Sequence, residues 1–443
     1  MAFDADSPAV WARARRQAQQ IPAIYGQIDF DAMPERFTGA QEGDSSLRCP
    51  FRDRGAALLA NRERVAMIAG YTMTGDGVAD AYAALMPQLG FRGMISQLET
   101  ACRKGLDAVP DATPELVAFI RDMERTPAWV DMKLVNEGAR LERNGMANLA
   151  PYVIRGALLA TFMNKYSALP MALTGALTDS LAAKRAFETA TFFTLTVMPG
   201  GLERHGEGFR AAAMVRLMHS MVRFNVMRRP GVWNAKVFGV PIPQVDQMPA
   251  GLISSFLLSF RVLRQGRNHF TQEERARIEL ARYRCFLLGL PEDLLGETPQ
   301  QIVDLLLTRQ ATLRSGFDDK TCGALVRGAM SAELSQDNTL TGRVRRGMER
   351  SFSKAYLVRN FLDGDASKAG AMGVSYTGRD RLIALATAMF IVPRMKLYDV
   401  AMRLPGLRDL ANRRLVGKLE RLLHRYGHAD FASDGENYRP ARA

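Results

Sequence analysis

Residues 211–230 read AAAMVRLMHSMVRFNVMRRP, and Arg216, His219 and Arg223 stand in that stretch at spacings of three and four. At about 100° per residue they fall within roughly 60° of one another on a helix and form one polar stripe. Met214, Val215, Leu217, Met218, Met221, Val222 and Phe224 cover the remaining directions. That predicts a helix inside the protein, because surface helices keep only an apolar stripe. Two guanidiniums and an imidazole then point inward. Unpaired, each would cost roughly several kcal/mol, so an anion or a metal must meet them.

Two chemistries satisfy this stripe. In the first, Arg216 and Arg223 pair with carboxylates on a neighbouring helix, and His219 is a hydrogen-bonded core histidine. In the second, neutral His219 is the proximal ligand of a haem iron, and the arginines hold the two propionates through charge-assisted hydrogen bonds. Haem iron can be held by a single protein side chain, whereas zinc usually needs three or four. The four cysteines, Cys49, Cys102, Cys285 and Cys322, lie far apart with no C-x-x-C pair. Zinc ribbons, iron–sulfur spacings and covalent haem attachment are therefore excluded as local motifs. His205 lies in a Gly-rich stretch, His269 precedes a helix cap, and His424 and His428 sit four apart on a basic tail without an acid-rich partner.

A second constellation lies upstream. In KRAFETATFFT, residues 184–194, Arg185, Glu188 and Thr189 share one helical face at i, i+3 and i+4. Either Arg185 and Glu188 form an ordinary intrahelical ion pair on a solvated face, or the face looks at a reaction centre. There an acid could move a proton, while an arginine and a hydroxyl orient dioxygen or a peroxide.

The elements that must position these residues read as helices almost throughout. Starts are marked at Thr113-Pro114-Glu115, at Thr271 with Glu273 and Glu274, and at Thr298-Pro299. Alternating runs bounded by N-G or D-G turns are missing, which predicts little strand. Gly and Pro cluster at 31–53, 199–208, 228–251 and 363–379, marking loops, with Val237–Asp246 as an ordered turn whose prolines fix φ. Hydrophobic content of 47% with 24% charged residues implies a sizeable core. The apolar windows Pro151–Thr174 and Leu382–Pro393 are interrupted or too short for the ~20 apolar residues of a bilayer span. The start of the chain lacks a basic stretch followed by an apolar core, so the expected location is cytoplasmic.

The net charge is +13, and Ile391–His428 holds nine Lys/Arg against three Asp/Glu. Residues 393–428 alternate Leu, Val and Met with Arg and Lys at helical spacing. Such a segment either lies on an anionic membrane or packs its apolar face on its own domain. Nucleic acid is not the expected partner, since no stacking aromatics interleave the basic residues.

The order of the motifs carries a resemblance. R-x-x-E-T, the R-x-x-H-x-x-x-R helix, F-G-V-P-I-x-Q-x-D and C-F-L-L-G-L-P-E-D-L-L follow one another, flanked by T-P-A-W-V-D at Thr126–Asp131 and V-R-N-F-L-D-G-D-A-S-K-A-G-A-M-G-V at Val358–Val374. Together, over roughly Pro114–Val374, they resemble the latex-clearing protein and MpaB-type oxygenase family. The resemblance implies an all-α fold with a globin-like helical core and additional N- and C-terminal helices in a single large domain. The implied organisation is an N-terminal extension over 1–60, a haem-binding domain over 61–380 and a basic helical extension over 381–443 packed on it. It also implies non-covalent haem b with His219 proximal, accompanied by Arg216 and Arg223. Arg185 and Thr189 match the distal-side Arg and Thr of the rubber-cleaving members, and Arg359 is a further candidate for an anionic partner.

One departure is informative. Where the rubber-cleaving members carry a lysine able to cap the iron, this chain has Glu188, and Lys165–Ala172, corresponding to the stretch that holds their separate catalytic glutamate, contains no acid. Glu188 is therefore expected to supply the acid function, with Arg185 and Thr189 orienting dioxygen. The expected substrate is a small or membrane-dissolved unsaturated compound, a terpenoid or an acyl chain, cleaved to two carbonyl fragments. Two other readings stay open: a haem protein acting as sensor, carrier or peroxidase-like scavenger, and a cofactor-free helical scaffold at a membrane.

Overall fold

The computed structural model describes residues 3, 5–39, 44–174, 179–335 and 337–427. Residues 40–43 of the expected loop at 31–53, and His428, lie outside them. The fold is all-α: among the described residues there is no strand, only two isolated bridges, Phe37 with Leu313 and Ser45 with Arg314. The helices used below are α1 (Gly77–Ala83), α2 (Ala150–Ala160), α3 (Asp179–Leu195), α4 (Glu207–Met227), α5 (Gln244–Arg264), α6 (Gln272–Leu287), α7 (Leu340–Phe361), α8 (Gly378–Ala401) and α9 (Arg408–Arg425).

The described chain divides into two compact units, one built from residues up to Gly138 together with Leu202–Gly316, the other from Ala139–Gly201 and residues 317–427. In the first, α4 packs on α1 and α6, and α5 on α6. The expected helix starts are present. Thr113 accepts from the Leu116 amide, and Thr271 and Thr298 close reciprocal capping boxes with Glu274 and Gln301. Each satisfies amides that the first helical turn leaves unpaired.

The loop expected over 228–251 is shorter, because α5 begins at Gln244 and runs through Pro249. Proline there cannot donate to the Val245 carbonyl four residues back. That carbonyl instead accepts from Arg309 Nε at 2.8 Å, so the helix continues without an orphaned acceptor. Asp246, in the first turn of α5, joins Arg36 at 2.6 Å and Arg309 at 2.9 Å. Burial would raise this carboxyl, but the two guanidiniums outweigh it and hold the group below the ordinary carboxylate range. Just before, Ile242 lies between Pro241 and Pro243 with φ of 46°, in the left-handed region.

In the second unit α2 packs against α7, and α7 against α8. Its core gathers Leu158, Phe162, Ala186, Leu325, Leu357 and Val374. A buried ion pair pins α2 to α7: Arg155 donates to Glu349 at 3.0 Å, and also to the Ala332 carbonyl. The loop expected over 363–379 contains a short helix, Ala366–Ala371, capped by Asp365.

The basic tail is resolved into two different helices. α9 buries Ala411, Leu415, Leu419, Leu422 and Leu423, and Tyr426 beyond it stacks on Phe187 of α3. α8 and the turn after it do the opposite, exposing Leu382, Leu385, Met389, Leu397, Val400, Leu404 and Leu407. The apolar surface thus starts at Leu382, ahead of the segment 393–428 that the sequence pattern marks. No helix among the described residues is long and apolar enough to cross a membrane.

Candidate functional site

Between Gly208 and Val226 every residue of α4 is buried except Val215 and His219, which are half-buried. These two are neighbours one turn apart, so an otherwise enclosed helix has one window with an imidazole in it. Arg216 and Arg223 do not share that window. Arg216 donates to both carboxylate oxygens of Asp76, the Nη2 bond being 2.9 Å, and reaches Asp122 at 2.8 Å. Arg223 donates from Nε to Asp80 at 2.7 Å, from Nη1 to the Ile242 carbonyl at 2.8 Å and from Nη2 to Ser220 at 2.9 Å. The Arg223 and Asp80 side chains are both wholly buried.

Two acids one turn apart, Asp76 capping α1 and Asp80 within it, therefore meet two arginines two turns apart on α4. Asp80 is saturated: besides Arg223 it accepts from the Tyr25 hydroxyl and the Asp76 amide. Burial pushes the Asp80 carboxyl above its ordinary range, and Arg223 works against that push. Desolvation alone would lower Arg216, but Asp76 and Asp122 hold its guanidinium above the ordinary value. The same charges explain Gly289 in the C-F-L-L-G-L-P-E-D-L-L motif, with φ of 85°. A Cβ there would collide with Arg216 Nε and Asp76. Gly75 is constrained alike, since a Cβ would overlap the Tyr25 hydroxyl.

In the structure the charges of Arg216 and Arg223 are met by Asp76, Asp122 and Asp80. Of the two readings of the stripe, carboxylate pairing describes the arginines. Nη1 of Arg216 is buried without an acceptor among the described groups, the one part of the pair still able to take an anion.

His219 is different. Its Nδ1 lies 3.2 Å from Gln247 Oε1. Gln247 comes from the second turn of α5, three residues after Gln244 of the F-G-V-P-I-x-Q-x-D motif. An imidazole whose Nδ1 is committed to a side-chain acceptor and whose ring lies in a window has the donor chemistry of a single-histidine metal ligand. Among the described residues, no group of three or more His, Cys, Asp or Glu side chains gathers in a metal-ligand cluster. The residues present thus fit haem at the iron, through His219, and do not fit it through Arg223.

In the second unit, Arg185 Nη1 donates to Glu188 Oε2 at 3.1 Å across one turn of α3. The ion pair of the sequence reading exists, but not on a solvated face: Glu188 is buried and Arg185 and Thr189 are half-buried. On the same helix Thr194 spends its hydroxyl on the Ala190 carbonyl, the usual back-bond of a helical threonine. The Thr189 side chain makes no hydrogen bond among the described residues. Arg359 stands exposed near the end of α7 with no ion pair or hydrogen bond of its side chain among the described residues, so it is not carried into the functional reading.

Other quoted motifs have structural work. Trp129 of T-P-A-W-V-D lies under the Arg282 guanidinium at 4.1 Å and donates to Glu292 at 2.9 Å. Arg125 also binds Glu292, at 2.6 Å. Asp76, Asp80 and Gln247 were not singled out by the sequence reading. The available signal was two acids in the otherwise apolar run MIAGYTMTGDGVADAYAALM.

Residues 143–392, more than half of the chain, match the family described as ER-bound oxygenase mpaB/B'/Rubber oxygenase, catalytic domain. The chain belongs to that family. The match takes in Arg185–Thr189 and the 216–223 stripe; it begins after Thr126–Asp131 and ends within α8. The fold is similar to a solved structure of latex clearing protein in the closed state, with a TM-score of 0.55 and 16% identity over 80% of this chain and 91% of that one. No curated protein matches the chain.

Proposed function

We propose that this protein is a haem-dependent oxygenase that uses dioxygen to cleave a carbon–carbon double bond in a small hydrophobic compound, an isoprenoid or an acyl chain, giving two carbonyl fragments. Its membership in an oxygenase family supports the reaction class, and the observation that carries the cofactor is the half-buried His219 in an otherwise buried stretch of α4. Bound there without covalent attachment, haem b supplies the one-electron iron chemistry that makes dioxygen reactive toward an alkene.

The chain's own residues do the rest. His219 holds the iron and sets the position of the group. On α3 the half-buried Arg185 and the Thr189 hydroxyl donate to dioxygen and orient it. Glu188, beside Arg185, moves the proton that such chemistry requires, and its burial keeps bulk water from competing. Replacing Glu188 with glutamine keeps the shape and removes the proton carrier. We expect substrate-dependent dioxygen consumption to fall about 100-fold or more, with haem content unchanged. A Glu188→Gln protein as fast as wild type would overturn this role.

The same reading includes a membrane surface as the place where substrate is met. The apolar face of α8 carries exposed Arg381 and Lys396, and Arg403 and Arg408 follow it, a pattern suited to anionic headgroups above an acyl boundary. A double change, Leu385→Ser with Leu397→Ser, removes two large exposed side chains that would be buried in lipid, each contributing about 1.5–3 kcal/mol. Co-sedimentation with anionic phospholipid vesicles should then fall by at least about tenfold. Equal sedimentation of the variant and wild type would sink the idea.

A further inference from the structure

We infer that Gln244 and Gln247 act as positioning residues that lock His219 in the tautomer protonated on Nδ1, leaving the lone pair of the neutral ring on Nε2 for a metal. This deepens the haem reading and rests on it for its purpose, but the tautomer is set by contacts present without any cofactor.

The argument follows donors and acceptors along one chain of hydrogen bonds. It starts at the Gly75 backbone carbonyl, which can only accept. Gln244 Nε2 lies 3.0 Å from that oxygen, so the amide end of Gln244 faces Gly75 and its carbonyl end faces away. Gln244 Oε1 lies 2.8 Å from Gln247 Nε2, which fixes Gln247 in turn with its own oxygen directed onward. That oxygen meets His219 Nδ1 at 3.2 Å. An oxygen acceptor at Nδ1 requires a proton there. Turning over Gln244 would set oxygen against oxygen at Gly75 and nitrogen against nitrogen at Gln247, and turning over Gln247 would set its oxygen against Gln244 Oε1. The chain is therefore directional, and its direction is inherited from a backbone group that has no second option.

The anchor is itself immobilised. The Gly75 amide donates to Gln17 Oε1 at 2.9 Å, and Gln17 Nε2 donates to the Ala14 and Met73 carbonyls. The Gln244 backbone amide donates to the Thr74 carbonyl at 2.9 Å, so Gln244 grips this loop with both main chain and side chain. Gln17, Gln244 and Gln247 are all buried. Polar groups satisfied in this way at low dielectric hold one arrangement, since any other leaves a buried donor or acceptor unpaired. An outer partner that fixes a ligating imidazole also raises its basicity toward the metal, and losing it costs typically 10- to 100-fold in metal affinity.

The test begins on the full chain without haem. In protein labelled with nitrogen-15 histidine, long-range proton–nitrogen correlation distinguishes a protonated Nδ1 from a protonated Nε2. Wild type should show His219 protonated on Nδ1, and Gln247→Leu should lose that signature. Haem titration should then show Gln247→Leu binding about 10- to 100-fold more weakly. With haem bound, the iron reduction potential should rise from Gln247→Glu through wild type to Gln247→Leu, an ordering that a merely structural role for Gln247 would not produce. A wild-type His219 protonated on Nε2, or equal potentials in the three proteins, overturns the inference. If the Nδ1–H signature is present and no haem binds, the lock is upheld and the haem reading fails, so the two failures are distinct.

Discussion

Replacing Arg223 with methionine is expected to destabilise the protein by about 3–5 kcal/mol, the largest stability effect of any change considered for this fold. The substitution leaves Asp80, wholly buried, without its counter-charge, and removing one partner of a buried pair exposes the full desolvation cost of the other. It also frees the Ile242 carbonyl and the Ser220 hydroxyl, both held by the same guanidinium. Urea unfolding should show the loss as a lower midpoint at an unchanged slope. Adding Asp80→Leu should recover most of it, because an apolar pair of similar volume is often as stable as the buried ions it replaces. A single variant within about 1 kcal/mol of wild type would mean that Asp80 is not charged in the fold.

The second large effect is chemical. His219→Ala should lose haem binding almost entirely, while its unfolding free energy in urea stays within roughly 1–2 kcal/mol of wild type. The change removes the hydrogen bond to Gln247, worth roughly 1 kcal/mol. Imidazole added to the variant should restore part of the haem absorption by occupying the vacated position. Retention of the wild-type spectrum by His219→Ala would show that another side chain holds the iron.

These two predictions separate what the stripe at 216–223 says locally from what it needs globally. That Arg216, His219 and Arg223 lie on one face of a buried helix was legible in the sequence, because helical geometry fixes side-chain direction within two turns. Helix starts at Thr113, Thr271 and Thr298 were legible for a similar reason, since a cap is satisfied within three residues. The partners of the stripe were not. Asp76 and Asp80 lie more than 100 residues upstream, and no periodicity in α4 encodes which acids will arrive there. The sequence therefore left carboxylate pairing and propionate binding open, and in the structure Asp76, Asp122 and Asp80 pair with the arginines.

His219 was legible as a ligand candidate, but its outer partner was not. Gln247 follows Gln244 by three residues across what the sequence marked as loop, because Gly and Pro cluster over 228–251. In the structure α5 starts at Gln244 and sets both glutamines on one face, and Arg309 takes the Val245 carbonyl that Pro249 leaves without a donor. Likewise, Arg185 and Glu188 were expected either on a solvated face or at a reaction centre. Local spacing gave the ion pair, and tertiary burial of Glu188 supplied the rest. Leucine spacing in the basic tail could not tell a buried face from an exposed one. α9 buries its leucines, while α8 leaves them outside.

The most direct test of the account is the haem content of the purified full-length protein, produced with haem supplied, measured by its pyridine haemochrome spectrum against protein concentration. The account predicts b-type haem at close to one per chain, with the absorption lost on His219→Ala. A folded, helical protein that takes up no haem under these conditions would contradict it.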